Sequence, residues 1–367
     1  MSTSIPLVDL GWQHAQVADE VRAGFERVFA ATSFVLGPEA ERFEQEYARY
    51  TGVRHCVGVG NGTDAVELAL RAAGIGRGDE VVIPANTFVA TAEAVLRSGA
   101  ELVLADCDEH HLLDPESVAP RVTARTRAVV PVHLYGQVAP MKAVADAAGD
   151  GVVVVEDAAQ SQGATQDGRA SGSFGVAAAT SFYPGKNLGA YGDAGAVTTD
   201  SDEVAGRLRA LRNHGGVRRY EHGEFGVNSR LDGLQGVVLS AKLARLDGWN
   251  ALRRAAAARY EELLADLPEV TLPRTAPGNE HVWHLYVVRV PRRDEVLTTL
   301  NAAGIGAGIH YPAPVHLLPP FAHLGHGPGS FPRAEASAAE ILSLPLFPGI
   351  TPEQQQRVAA ELRSALR

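Results

Sequence analysis

The order of apolar and polar positions changes character along the chain. Segments 13–31 and 38–50 place apolar residues at helical spacing, and then a shorter rhythm takes over. Apolar runs at 55–59, 79–83, 101–105, 127–132 and 152–155 alternate with helix-period stretches at 63–73, 87–98 and 141–148. Such alternation predicts a mostly parallel sheet covered by helices on both faces. Val152, Val153, Val154 and Val155 are β-branched residues in unbroken succession. A strand with one wet face would alternate, so this run predicts a central strand buried on both faces. Ligands of open α/β sheets sit beyond the carboxyl ends of such strands, which points to Glu156, Asp157 and Gln160.

Two more strands are predicted at 177–182 and 196–199, with a glycine-rich stretch between them, which makes seven in the sheet. A long helical region covers 231–264. A domain boundary is expected inside it, near 247–252, dividing the chain into a large domain, 1–248, and a smaller C-terminal α+β domain, 249–367. The small domain is read as a strand at 283–290, a helix at 293–303, a Pro/His-rich loop at 310–320 and helices at 333–342 and 351–366.

Composition narrows the function classes. With 367 residues, 46% hydrophobic and 21% charged, the chain can bury a sizeable core. The net charge is −10 and no basic run stands out, which argues against nucleic acid as a partner. Cys56 and Cys107 are far apart in sequence, so neither a disulfide framework nor a zinc site is expected. No apolar run reaches the roughly 18 residues of a membrane span. The first ten residues do not read as a signal peptide, so the expected compartment is the cytoplasm.

Several short stretches carry candidate chemistry. Gly58-Val59-Gly60-Asn61-Gly62-Thr63-Asp64 follows a strand and opens a helix, where glycines and free N–H groups suit a phosphate. A plain capped turn is the competing reading. Glycine is absent at Thr63, so the dinucleotide fingerprint fails, which disfavours a nicotinamide-dependent oxidoreductase; no GxxxxGK[ST] occurs either. Asp157 ends the valine strand, where a carboxylate can keep a cofactor's ring nitrogen protonated or simply cap the next turn. The chain has three lysines, Lys142, Lys186 and Lys242. Only Lys186 lies in a loop stiffened by proline and glycine, in Ser181-Phe182-Tyr183-Pro184-Gly185-Lys186-Asn187-Leu188-Gly189, as a Schiff-base lysine requires. Arg230, in Asn228-Ser229-Arg230, can grip a carboxylate or phosphate, or sit in a surface salt bridge. Gly308–His316, holding His310, Tyr311 and His316, reads as a stiff substrate-contact loop; no Asp or Glu accompanies it, so no metal is assigned.

Taken together, these pieces resemble the DegT/DnrJ/EryC1/StrS family of sugar aminotransferases, a branch of the fold-type I pyridoxal 5′-phosphate (PLP) enzymes. The resemblance runs from Ile5-Pro6-Leu7-Val8-Asp9-Leu10 through Gly60–Ala65, Pro84–Thr91, Glu156–Gln160, Ser181–Gly189, Asn228–Leu231 and His310–His316 to Leu342–Pro345. It implies that Lys186 forms the Schiff base and shuttles the proton. Asp157 would pair with the pyridine nitrogen, Gln160 would contact the ring hydroxyl, and Phe88 would stack on the ring. Gly62, Thr63 and Ser181 would bind the cofactor phosphate, with Asn228 reaching it from the second subunit of a homodimer. Arg230 would hold the carboxylate of the amino donor, L-glutamate, and His310 and Tyr311 would border a nucleotide-linked keto sugar. Dehydratases of the family replace the lysine, so its presence favours transamination, with pyridoxamine 5′-phosphate carrying the amine between two half-reactions. The 182–190 stretch is similar to members that aminate C3 of dTDP-3-keto-6-deoxyhexoses in deoxysugar assembly for antibiotics or glycans. Amination at C4 and a non-catalytic PLP- or sugar-nucleotide-binding regulator are the alternatives. One departure is Ala194, in Gly192-Asp193-Ala194-Gly195, where the family often has paired glycines.

Overall fold

The computed structural model describes residues 4–218 and 220–367. Seven strands form the main sheet: β1 (His55–Val59), β2 (Glu80–Pro84), β3 (Glu101–Ala105), β4 (Thr126–Val129), β5 (Val153–Asp157), β6 (Ala177–Ser181) and β7 (Gly195–Thr199). Their order is β1-β7-β6-β5-β4-β2-β3, parallel throughout except for β7, which runs antiparallel to both its neighbours. Helices on both faces, among them Gly62–Ala72, Val89–Ser98, Met141–Ala148 and Asp202–Leu211, complete the layers. The valine run is central as its pattern predicts, lying between β4 and β6.

The largest core joins the sheet to its helices through fully buried residues such as Val57, Leu68, Ile83, Leu104, Val155 and Val197. Burying each such side chain contributes roughly 1.5–3 kcal/mol. A second core gathers Tyr260, Tyr286, Val288, Leu300, Leu342 and Leu362 around an antiparallel pair, Tyr286–Arg289 with Ile341–Leu344. Ile5 belongs to this second core: its N–H donates to the Gly304 carbonyl at 2.9 Å and its carbonyl accepts from Gly306 N at 2.7 Å. The helix Leu246–Leu264 spans both regions, with Leu246 packed in a cluster beside the main sheet and Ala256, Tyr260 and Leu264 in the C-terminal core. Val315, Phe321 and Phe331 return from the C-terminal part to the sheet's own core.

Some expected boundaries move for identifiable reasons. β4 stops at Val129, short of 132, because Pro131 has no N–H for the ladder. Its carbonyl still accepts from Asp157 N at 2.9 Å, so the chain stays beside β5. The helical region 231–264 is two helices, Gly233–Leu243 and Leu246–Leu264, with the break at Ala244-Arg245. Gly236 lets the first of them cross the helix Pro38–Thr51 closely, since a Cβ there would lie 2.6 Å from the Glu39 carbonyl. Ile341 and Leu342, read as the end of a helix, are instead strand residues; the helix Pro332–Glu340 stops before them, and both are buried in the pair with Tyr286–Arg289. Among the described residues, no helix is long and apolar enough to cross a membrane.

Candidate active site

The carboxyl ends of β1, β5 and β6 open on a cavity of about 580 Å³. Asn61, Gly62 and Thr63 enter it after β1, Asp157 and Gln160 after β5, and Ser181 and Lys186 after β6. Phe88 and Thr91 come from the start of the helix Val89–Ser98, and His284, His310 and Tyr311 from the C-terminal part.

The phosphate-suited end is built by close packing. Asn61 caps the helix Gly62–Ala72, accepting from Asp64 N at 2.8 Å, which leaves the N–H groups of Gly62 and Thr63 without intrahelical partners. A Cβ on Gly62 would meet Ser181 Cβ at 2.6 Å, so only glycine brings these two N–H groups up against the Ser181 hydroxyl. The Asp64 carboxylate is neutralised by Arg97 at 2.9 Å, so the helix start keeps its attraction for an anion. Gly195 also serves this close approach, since a Cβ there would lie 2.4 Å from the Asn61 carbonyl. Ala194 is accommodated beside it, buried, its carbonyl accepting from Phe182 N at 2.8 Å.

At the other end Asp157 is 5% exposed. Its Oδ2 accepts from the Thr91 hydroxyl at 2.8 Å and its Oδ1 from Ala159 N at 3.1 Å. A hydroxyl has one proton, and that of Thr91 is spent on Asp157. The Thr87 hydroxyl, 2.8 Å away, therefore donates to Thr91. Gln160 is oriented by the backbone: its Oε1 accepts from Tyr135 N at 2.7 Å, and its Nε2 donates to the Tyr311 hydroxyl at 3.0 Å. The Phe88 and Tyr311 rings lie 4.9 Å apart, and Phe88 is 48% exposed. Glu156 does not reach the cavity. Strand alternation sends it to the opposite face, where it is fully buried and accepts from His133 Nε2 at 2.9 Å and from Gly172, Phe174 and Gly175 N–H groups.

The three lysines have separate fates. Lys142 pairs with Asp146 at 2.6 Å on an exposed helix face. Lys242 is buried, donates to the Gly189 carbonyl at 2.6 Å and lies over the Tyr191 ring, a fixed role behind the lysine loop. Lys186 faces the cavity, and desolvation draws its amine down to about 8, against the opposing pull of Asp157. Its loop is rigid: Lys186 N donates to the Tyr183 carbonyl at 2.8 Å, and a Cβ on Gly189 would lie 2.3 Å from the Pro184 carbonyl.

Asn228 and Arg230 lie away from the cavity in the single chain. Asn228 is exposed, and Arg230 Nη1 donates to Asn213 Oδ1 at 3.4 Å. Among the cavity residues to which the sequence attached no role are Thr91 and His284. Thr91 stands inside a quoted stretch with no role attached. His284 sits in a segment read as strand, but the strand begins at Tyr286 and His284 turns into the cavity.

The set fits PLP: a desolvated lysine and a buried carboxylate line one cavity, with the exposed ring of Phe88 on the same cavity and a glycine-shaped helix start suited to a phosphate. Comparison with known proteins agrees. The family model for the DegT/DnrJ/EryC1/StrS aminotransferase family matches residues 16–363. A Streptomyces venezuelae dTDP-3-amino-3,4,6-trideoxy-alpha-D-glucose transaminase is 48% identical over 361 residues, covering 98% of this chain and 95% of that one. A protein of Geobacillus stearothermophilus named a pleiotropic regulatory protein is 44% identical over 365 residues, 98% of each chain. The crystal structure of S. venezuelae DesV in complex with a ketimine intermediate superposes with a TM-score of 0.97, at 47% identity and full coverage of both chains.

Proposed function

The chain belongs to the DegT/DnrJ/EryC1/StrS aminotransferase family of PLP-dependent sugar aminotransferases, and from that premise we propose that it transfers the amino group of L-glutamate to C3 of a dTDP-linked 3-keto-6-deoxyhexose. The observation that carries this reading is the placement of Lys186 and Asp157 at one cavity beside the phosphate cradle. The 3-amino product in the name of the 48% identical relative supports C3 over C4.

Bound PLP supplies the electron sink that makes the proton on the donor's α-carbon removable. The protein's share is positioning and proton transfer. Lys186, with its amine near 8, holds appreciable amounts of both protonation states around neutral pH, so Nζ can take a proton from one carbon and return it to another. Asp157, fixed by Thr91, keeps the ring nitrogen protonated. Gln160 has a second amide hydrogen left for the ring hydroxyl, and Phe88 offers its face to the ring. Gly62 N, Thr63 N and Ser181 Oγ hold the phosphate. His310 and Tyr311 border the sugar nucleotide. Asn228, exposed in one chain, reaches the phosphate of the partner's site in a homodimer, and Arg230 takes the donor's carboxylate. The division at 248/249 separates a cofactor-binding domain from a small domain to which Ile5 adds its backbone.

The test is product analysis by mass spectrometry. Holoenzyme, L-glutamate and a dTDP-3-keto-6-deoxyhexose are expected to give the 3-amino sugar and 2-oxoglutarate. Preferred turnover of the 4-keto isomer would refute the C3 assignment.

A further inference from the structure

Tyr135 joins the loop after β5 to the loop that holds His310 and Tyr311. It lies in the short turn Leu134–Gly136 after β4, is 5% exposed, and has φ 60° and ψ −2°. That left-handed conformation is unfavourable for a residue with a Cβ, so its surroundings must hold it. Three different segments engage its three polar groups. Its N–H donates to Gln160 Oε1 at 2.7 Å, its carbonyl accepts from Leu285 N at 3.2 Å, and its hydroxyl donates to the His310 carbonyl at 2.5 Å. A carbonyl can only accept, so the direction of the last bond is fixed.

Tyr135 is not among the described residues that line the main cavity; its ring packs edge to face with that of His111, 5.5 Å away. Its influence on the cavity therefore passes through its partners. Gln160 Nε2 donates to the Tyr311 hydroxyl at 3.0 Å, and the Tyr311 ring lies 4.9 Å from that of Phe88, all three residues lining the cavity. Tyr135 thus sets both partners of the Gln160–Tyr311 bond, Gln160 through its backbone and Tyr311 through the carbonyl of the residue before it. Any residue but proline keeps the backbone N–H, whereas phenylalanine loses the hydroxyl. The two effects are therefore separable in Tyr135→Phe.

We infer that Tyr135 is a positioning residue for the keto-sugar half-reaction: its hydroxyl holds the His310 carbonyl and so sets Tyr311 against Gln160. This role rests on the reading that His310 and Tyr311 border the sugar nucleotide. Without the hydroxyl a partly buried carbonyl lacks its donor, and part of the population leaves the Tyr311–Gln160 arrangement. Affinity for the sugar then falls by the fraction that stays competent. The cofactor end, with Gly62, Asp157 and Ser181, has no hydrogen bond to that hydroxyl and keeps its grip. Other anchors hold the segment in place: His310 Nδ1 lies 2.8 Å from Ser343 Oγ, and Gly308 N donates to the Ser343 carbonyl at 3.2 Å. Tyr135→Phe is therefore expected to fold.

The kinetic test converts holoenzyme to its pyridoxamine form with L-glutamate, adds a dTDP-3-keto-6-deoxyhexose and follows the returning visible band. In Tyr135→Phe the half-saturating sugar concentration is expected to rise about tenfold. The maximal rate and the affinity for PLP stay within about twofold. In a Tyr311→Phe background the same replacement adds less than about twofold, because its effect passes through Tyr311. Tyr135→4-aminophenylalanine, which restores an N–H donor, recovers most of the loss. Unchanged half-saturation, a full effect in both backgrounds, or an equal loss of PLP affinity overturns the inference. A second measurement needs no substrate: fluorine NMR of the full chain carrying 3-fluorotyrosine, without cofactor. The Tyr311 signal is expected to shift in Tyr135→Phe while that of Tyr260, in the C-terminal core, stays; an unmoved Tyr311 signal overturns the inference. If the unaltered enzyme does not aminate the sugar, the proposed substrate fails, and the fluorine signal alone decides the hold on Tyr311. If Tyr135→Phe does not fold, the unaltered protein decides: the Tyr135 hydroxyl proton is expected to exchange slowly with solvent, and fast exchange overturns the inference.

Discussion

Replacing Gly62 by alanine puts a methyl group where the proposed phosphate cradle is tightest. The new Cβ would lie 2.6 Å from Ser181 Cβ, 3.0 Å from its Oγ and 3.2 Å from its Cα. Ordinary carbon contacts are about 3.5–4.0 Å, so strand end and helix start must separate by several tenths of an ångström or more. Such overpacking costs about 1–3 kcal/mol. Alanine in a helix returns roughly 0.5–1 kcal/mol, so the net loss of fold stability is small. Separation of Gly62 from Ser181 falls instead on the ligand they grip together. Losing about 1–2 kcal/mol there weakens PLP binding roughly 5–30-fold. The control is Gly206→Ala, in the helix Asp202–Leu211, where a Cβ meets nothing within 4 Å. It should leave cofactor affinity unchanged and raise stability slightly. Both are read by titrating cofactor-free protein with PLP in visible absorbance, alongside a thermal melt. A folded Gly62→Ala protein with wild-type affinity would refute the assignment of the cradle.

Three further outcomes follow from the same geometry. Thr91→Val removes the hydroxyl that donates to buried Asp157 and should weaken PLP binding roughly 5–30-fold, about 1–2 kcal/mol, in the same titration. Lys242, held down to about 8 mainly by burial, binds a proton in the unfolded chain but not in the folded one between about pH 8 and its ordinary 10.5. Its contribution to stability therefore rises with pH across that window, so denaturant titrations should show wild type gaining on Lys242→Met from pH 8 to 10.5; a constant difference would refute this. Lys186→Ala and Asn228→Ala should each be inactive alone, yet recover part of the activity when mixed and allowed to exchange subunits. Failure of mixed dimers to recover it would show that Asn228 does not serve the partner's site.

How much could be read from the residues depended on whether a signal was local. The strands were legible because each is a short apolar run between polar turns, and β5 because unbroken valines fit only a strand covered on both faces. The cavity residues at strand ends, Asp157 and Ser181, followed from the rule that sites lie beyond carboxyl ends. Lys186 stood out because its loop is stiff and the other lysines are on helices. Thr91 could not be found this way, since its role depends on Asp157, 66 positions later and brought to it only by the sheet. His284 was hidden by its neighbours, whose apolar pattern reads as strand, and Glu156 was misplaced because one residue along a strand changes the face. Ile341 and Leu342 were read as helix because their strand is defined by partners far back in the chain, Arg289 opposite Ile341 and Val288 opposite Leu342.

The visible absorption spectrum of the purified chain with PLP, recorded before and after L-glutamate, tests the central claim most directly. The account predicts a band of bound cofactor that requires Lys186 and gives way to the pyridoxamine form when glutamate is added. A band that survives Lys186→Ala, or one that L-glutamate leaves unchanged, would contradict it.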